Sequence, residues 1–383
     1  MASRSGVVRA VRGGIRAVVV AAVTAVVLSG AGILYARAKL NAIAVAPVGD
    51  VLTPAGRTIV SEGRHPNRAD LGPATIENYL LVGSDSRAGA DPNSPDYGQI
   101  GSAGQVAGQR SDTIMVLRYD PTTRSGSILS FPRDLWVPMY GTTGKDKLNA
   151  AFNSGPKQLI QTIEQDFGVP IHHYVQVDFE GFKALVDAIG GVGVYFDVPS
   201  RDTKTNFAVF APGCVQLDGE QALAFARSRY WQTFTNGHWR NDPTSDLDRI
   251  RRQQQFLRQA LTKALADAAT SPSTAASLLD ALVNNVTVDQ QLAHDLFGLA
   301  NRLRSLGAGT LEGWTLPADG GWVGNQQVLF PREADAQPLL DYFRGAGPPP
   351  TPTTTAAGGP GLAVPLQPAP APATTTDPAT ACH

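Results

Sequence analysis

The apolar positions of this chain change period along its length. Asn78–Val82 (NYLLV) is apolar at nearly consecutive positions and reads as a short strand buried on both faces. Thr113–Tyr119 and Gly126–Phe131 are β-rich runs on either side of a Pro/Thr/Gly turn, which predicts an antiparallel hairpin. Farther on the period lengthens. Leu159, Ile160, Ile163 and Phe167 form the stripe of a helix that Asn153/Ser154 and Pro156 start and Gly168 ends. His172–Phe179 alternates as a strand. Phe182, Leu185, Val186 and Ile189 mark a second amphipathic helix, stopped by Gly190-Gly191 before the strand Val192–Val198. Strand and helix in alternation predict an α/β fold. Asp218, with Gln221 three residues on, starts a short helix over Gly219–Ala226. A long helix begins near Asp246, with Ile250, Phe256, Leu257, Ala260, Leu261, Ala264 and Leu265 on its core half. Residues 274–305 read as helical, and Trp314–Phe343 adds short extended pieces and a closing helix.

The two ends read differently. Arg4, Arg9, Arg12 and Arg16 precede an uncharged apolar run, Ala17–Tyr35, long enough to cross a bilayer as a helix. Arginines before the run and a large domain after it predict residues 1–16 inside the cell, a single transmembrane helix over 17–35 and a body outside. The small-x-small triplet Ala36-Arg37-Ala38 keeps a cleaved signal peptide as the competing reading. Residues 36–75, with several Pro and Gly and no period, read as a stalk, the body as 76–344, and 88–108 as a long loop. The Pro/Thr/Ala-rich tail, 345–383, reads as disordered. A formal net charge of −1 leaves no global field for nucleic acid, so no such partner is expected. Cys214 and Cys382 lack zinc spacing, and outside the cell they can form one bridge.

Candidate chemistry collects in a few places. A hairpin returns to where it started, so Arg110, Ser111 and Asp112 at the start of its first strand must lie beside Arg133 and Asp134 after its second. Two arginines with two carboxylates suit a phosphate and a divalent cation, or else form an ordinary salt-bridge cluster. Asp85 follows the strand Asn78–Val82 directly, where ligands sit in open α/β sheets. Lys147 follows the hairpin. Arg227 and Arg229 share a face if their segment is extended. On the long helix Asp246, Arg249 and Gln253 fall in the core half, whereas Arg251, Gln255, Arg258 and Thr262 fall on the wet half. The adjacent His172 and His173 have no third ligand nearby and read as strand residues. Walker, GxSxG and HExxH motifs do not occur.

The runs NYLLVGSDSR, RSDTIMVLRYD, SILSFPRDLWV, KLNAAF, HHYVQVDFEGFKALVDAIGGVGV, GEQALAFARSRY and DLDRIRRQQQFL resemble, in order, the motifs of the LytR-CpsA-Psr family. The resemblance implies an α/β/α sandwich with a central mixed β-sheet behind the N-terminal anchor, and an apolar cavity for an isoprenoid chain. It implies a phosphotransferase that moves a glycopolymer from a polyprenyl-pyrophosphate carrier to peptidoglycan at the membrane surface. Asp85 and Asp112 match the family's Mg²⁺ (or Mn²⁺) ligands. Arg110, Arg133, Lys147, Arg227, Arg229, Arg249 and Gln253 match positions around the pyrophosphate, and Asp246 an acid linked to the attacking hydroxyl. An Ala-rich, Arg-over-Lys composition fits an actinobacterial source, with arabinogalactan as the expected polymer. Hydrolysis of polyprenyl pyrophosphate, and a non-catalytic surface binder or regulator, are the alternatives.

Overall fold

The computed structural model describes residues 38–54, 57–59, 71–73, 76–85, 111–242, 245–306, 311–350 and 382. The apolar run Ala17–Tyr35, the loop 88–108 and most of the tail lie outside them. Among the described residues no helix is long and apolar enough to cross a membrane.

Seven strands, numbered here in chain order, make the central sheet: β1 (Ala44–Ala46), β2 (Glu77–Ser84), β3 (Ser111–Asp120), β4 (Ser125–Ser130), β5 (His173–Val177), β6 (Val286–Asp289) and β7 (Leu311–Thr315). Their spatial order is β1-β6-β5-β2-β3-β4-β7. The pairs β2–β3, β3–β4 and β5–β6 are antiparallel, whereas β2–β5, β4–β7 and β1–β6 are parallel, so the sheet is mixed. The predicted hairpin is β3–β4, with Met115 opposite Ser130 and Asp120 opposite Ser125.

Apolar residues on both sides of β2–β4 demand a layer on each face. On one face Leu80, Val82, Ile114, Val116 and Leu129 pack against Leu159, Ile160 and Ile163 of α1 (Pro156–Phe167) and against Leu339, Leu340 and Phe343 of a C-terminal helix, Glu333–Arg344. On the other, Tyr79, Met115, Leu117 and Ile128 pack with leucines 257, 261, 282, 296 and 299. The result is the expected α/β/α sandwich. Gly168 closes α1 in the left-handed conformation, but Gly155, not a Ser or Asn side chain, precedes its first turn. The next helices are α2 (Phe179–Ala188), capped by Asp178, and α3 (Gly219–Arg227), whose Asp218/Gln221 capping box forms as predicted. The long helix α4 (Ser245–Thr270) then runs beneath the sheet.

A smaller wing stands beside the sandwich. The hairpin Val192–Phe196/Gly213–Leu217 and a four-stranded sheet (200–202, 207–209, 232–235, 238–241) enclose an aromatic cluster of Phe196, Phe207, Phe225 and Trp231. Its ring centroids lie 5.5–6.4 Å apart.

Three expectations are corrected. Residues 36–75 are not all stalk: β1 is a strand of the central sheet, and Ile43, Val48, Val51 and Leu52 are buried in its cores. Residues 274–305 are not continuously helical, because Val286–Asp289 leaves the helix Pro272–Asn285 to pair with β5 and β1. The alternating VTVD is short, and its partners lie far away in sequence. Finally, the far end of the tail is fixed to the body by a Cys214–Cys382 disulfide.

Candidate functional site

The site is built at the end of the sheet where β2, β4 and β5 finish and β3 begins. Gly83 pairs with Thr113 and Ser84 with Ser111, so Asp112 is the extra residue of a β-bulge. A bulge re-aims the side chain it carries. Gly83 belongs to the same device, since a Cβ there would stand 3.1 Å from Thr113 Cβ. Asp85 leaves β2 immediately after the bulge, half-buried like Asp112.

The chain that follows the hairpin's second strand supplies the cations. Arg133 Nη1 donates to Asp112 Oδ1, Arg133 Nε lies 3.5 Å from Asp134 Oδ2, and Lys147 Nζ donates to Asp134 Oδ1 at 2.8 Å. Acid and base alternate along Asp112–Arg133–Asp134–Lys147. Backbone bonds from Asn149 N to Arg133 O (3.0 Å) and from Leu148 N to Leu135 O (2.8 Å) pin the Arg133 and Lys147 segments together.

Parallel pairing of Gly83 with Val177 delivers the residues after β5 to the same end. Tyr174 Oη donates to Gln176 Oε1 at 2.9 Å, and Gln176 Nε2 to Ser84 Oγ at 3.4 Å. Burial pushes the Tyr174 phenol up, which keeps it a donor. Phe179 follows, and the Arg227 guanidinium lies 4.4 Å over its ring. Helix α3 therefore aims Arg227 at this end of the sheet.

After Arg227 the chain turns extended at Ser228. One buried carboxylate shapes that turn. Asp202 Oδ2 accepts from Ser228 Oγ (2.6 Å), Arg229 N (2.9 Å) and Tyr230 N (2.8 Å). Helix α4 closes the site. Gln253 Nε2 donates to Ala226 O at 3.0 Å, and Gln254 Nε2 to Ser130 Oγ at 2.7 Å and Trp314 O at 2.8 Å. Arg249, buried, lies five residues earlier, roughly 7 Å along the axis. Arg252 lies with its guanidinium 4.5 Å over Trp231 and donates to Ser228 O at 2.7 Å. Burial pushes that guanidinium down to about 10, against the pull of nearby Asp248, Asp242 and Asp202.

A LytR_cpsA_psr family model matches residues 64–342. The chain belongs to the LytR-CpsA-Psr family. Among relatives, it is 40% identical over 215 residues to the probable cell wall biosynthesis protein LcpB of Corynebacterium glutamicum, covering 54% of this chain and 47% of LcpB. It is 33% identical over 258 residues to the polyisoprenyl-teichoic acid–peptidoglycan teichoic acid transferase TagU of Oceanobacillus iheyensis, covering 64% of this chain and 69% of TagU. The chain thus spans about half the length of LcpB. Among solved structures, a LytR-Csp2A-Psr enzyme from Actinomyces oris superposes with a TM-score of 0.57 at 21% identity, covering 79% of this chain and 95% of that one. TagV of B. subtilis superposes with a TM-score of 0.55 at 22% identity, covering 72% and 99%.

Of the residues that the LytR-CpsA-Psr motifs single out, Asp85, Asp112, Arg133 and Lys147 stand at this end of the sheet, α3 sets Arg227 over Phe179 beside it, Arg229 follows in the turn that Asp202 holds, and Arg249 is buried on α4. Arg110 and the side chain of Asp246 lie outside the described residues. Gln253 spends its amide on a backbone carbonyl and so ties α4 to the arginine turn. Arg258, expected on a wet face, is half-buried, and burial pushes its guanidinium down. It lines a cavity with Leu261, Leu265, Leu306 and Leu311. Asp202, Arg252, Gln254 and Phe179 were not singled out by the sequence. Phe179 and Gln254 fall beside motif residues, whereas Asp202 in SRDTKTN has the signature of a turn former.

Proposed function

We propose that this chain is an extracytoplasmic phosphotransferase that moves a cell-wall glycopolymer from a polyprenyl diphosphate to a peptidoglycan hydroxyl. The observation that carries this reading is the gathering of Asp112, Arg133, Asp134 and Lys147 at one sheet end, beside which α3 sets Arg227. Arginine forks fit the several oxygens of a diphosphate better than a single carboxylate. The relatives support the same class of reaction, TagU being named for transfer of teichoic acid to peptidoglycan and LcpB for cell wall biosynthesis.

In the proposed reaction an acceptor hydroxyl oxygen bonds to the phosphorus bearing the sugar. The bridging P–O bond breaks, and polyprenyl phosphate leaves with the bond's electron pair. Arg133, Arg227, Arg229 and Arg249 hold the diphosphate oxygens and the charge that develops on the leaving phosphate. Arg110 and Lys147 border it, Gln253 positions the arginine turn, and Asp246 takes the hydroxyl proton. Asp85 and Asp112 fit a Mg²⁺ (or Mn²⁺) ion. They are two half-buried carboxylates, one re-aimed by a bulge, and such ions are held by one or two carboxylates together with substrate phosphates. When bound, the ion would neutralise diphosphate charge. The leucine-lined cavity along α4 suits part of the apolar chain. The Cys214–Cys382 bridge supports a location outside the cytoplasm, and arabinogalactan is the polymer we favour.

The test is incubation of the protein with lipid-linked glycan and a muropeptide acceptor, with and without EDTA. Glycan joined to muropeptide, lost with EDTA and restored by Mg²⁺, is expected. Glycan phosphate released without joined product would instead establish hydrolysis, and absence of turnover a binding role.

A further inference from the structure

The hairpin 232–241 occupies the stretch between Arg229 and α4, so both its ends are fixed by pieces of the site. Directly opposed residues of antiparallel strands share a face. Phe234 opposes Trp239, Gln232 opposes Asn241, and Arg201 of the neighbouring strand opposes Gln232. These five side chains therefore stand on one face. Ser200, Asp202, Phe207 and Val209 occupy the other, and all are buried.

The outward face is ordered. Arg201 Nε donates to Gln232 Oε1 at 2.8 Å, and Gln232 Nε2 to Asn241 Oδ1 at 2.7 Å. The Arg201 guanidinium lies 4.1 Å over the Trp239 ring, and the Phe234 ring packs 5.4 Å from it at 58°. Phe234 is 38% exposed, and Tyr230, next to Arg229, is 64% exposed. Exposed aromatic rings mark binding surfaces when they cluster. Rings set among planar amide and guanidinium groups match a pyranose, whose C–H faces stack on a ring while its hydroxyls bond to amides. Among the described strand residues of this face there is no carboxylate to seek a cation.

We propose that this face binds the first sugars of the lipid-linked donor glycan. The proposal rests on the diphosphate reading above. The donor's first sugar is joined directly to that diphosphate, and Tyr230 is the residue after Arg229, so the donor glycan leaves the site beside this face.

The experiment measures binding of the full chain to a polyprenyl diphosphate bearing an N-acetylglucosamine disaccharide, to the same lipid without sugar, and to the free disaccharide. The parent is compared with Trp239→Ala and Phe234→Ala. We expect on the order of tenfold weaker binding of the sugar-bearing lipid, unchanged binding of the sugarless lipid and an unchanged melting temperature. Equal weakening for both lipids, or for neither, overturns the proposal. So does a shift confined to the dependence on a muropeptide acceptor, which would give the face to the other substrate. If the parent binds neither lipid, the diphosphate reading fails by itself. Binding of the free disaccharide, lost in Trp239→Ala, would then uphold the sugar face alone, and its absence would end that too.

Discussion

Replacing Asp202 by Asn asks whether a single buried carboxylate holds the arginine turn. The side chain is fully buried, and its two oxygens serve different groups. Oδ2 accepts from Ser228 Oγ, Arg229 N and Tyr230 N, whereas Oδ1 accepts from Lys204 N at 2.7 Å and Thr205 N at 3.3 Å. Asparagine keeps the shape but exchanges one oxygen for an NH₂. Turned one way, that NH₂ faces three donors; turned the other, two. Either way at least two backbone N–H groups lose an acceptor. Bonds to a charged acceptor contribute about 1.5–3 kcal/mol each, so the cost is about 3–6 kcal/mol. At ~2–4 °C per kcal/mol for a body of this size, the melting temperature should fall by on the order of 10 °C. With the NH₂ in the Oδ2 position Arg229 also loses its backbone anchor, and a misplacement near 1 Å costs roughly 10²-fold in rate. Calorimetry gives the first quantity. Initial rates of glycan release, taken well below the mutant's transition, give the second. A mutant melting within about 2 °C of the parent would refute the reasoning, because a cost of several kcal/mol cannot hide in so small a shift.

Arg133→Ala should lower the transfer rate on the order of 10²-fold or more; a parental rate would remove Arg133 from the site. Asp289 is buried, which alone would raise its carboxyl, but hydrogen bonds from His173, Leu292 N and Tyr174 N hold it below its ordinary 3.8. Its contribution is therefore present above that value and lost as pH falls through the depressed one, so Asp289→Asn should flatten the acid limb of a plot of urea midpoint against pH. Cys382→Ser should lower stability by about 2–5 kcal/mol, read from the urea midpoint under oxidising conditions; an unchanged midpoint would mean the bridge contributes nothing.

What could be read from the sequence was what is local. The hairpin β3–β4, the capping box at Asp218 and the stop at Gly168 are each set by residues within a few positions, and each is found as expected. The hairpin alone requires Asp112 to lie beside Arg133, and the two form an ion pair. What escaped depends on distant partners. β1 is three residues whose partner strand begins at Val286, and β6 is a strand only because β5 lies beside it. The wheel of α4 marked Arg249 as inward, but Arg252 and Gln254 are buried too, because the wing covers one flank of the helix and the end of the sheet another. Nothing near Asp202 announces the turn it organises some 27 residues later.

The Cys214–Cys382 bridge has a consequence in time. Its second sulfur lies beyond the whole folded body, so it is made long after the first and after every strand of the sheet. Until then Cys214 carries an unpaired thiol. A chain cut short by a stalled ribosome or a protease would keep that thiol and cross-link to whatever it met, so the bridge distinguishes a finished molecule from an unfinished one.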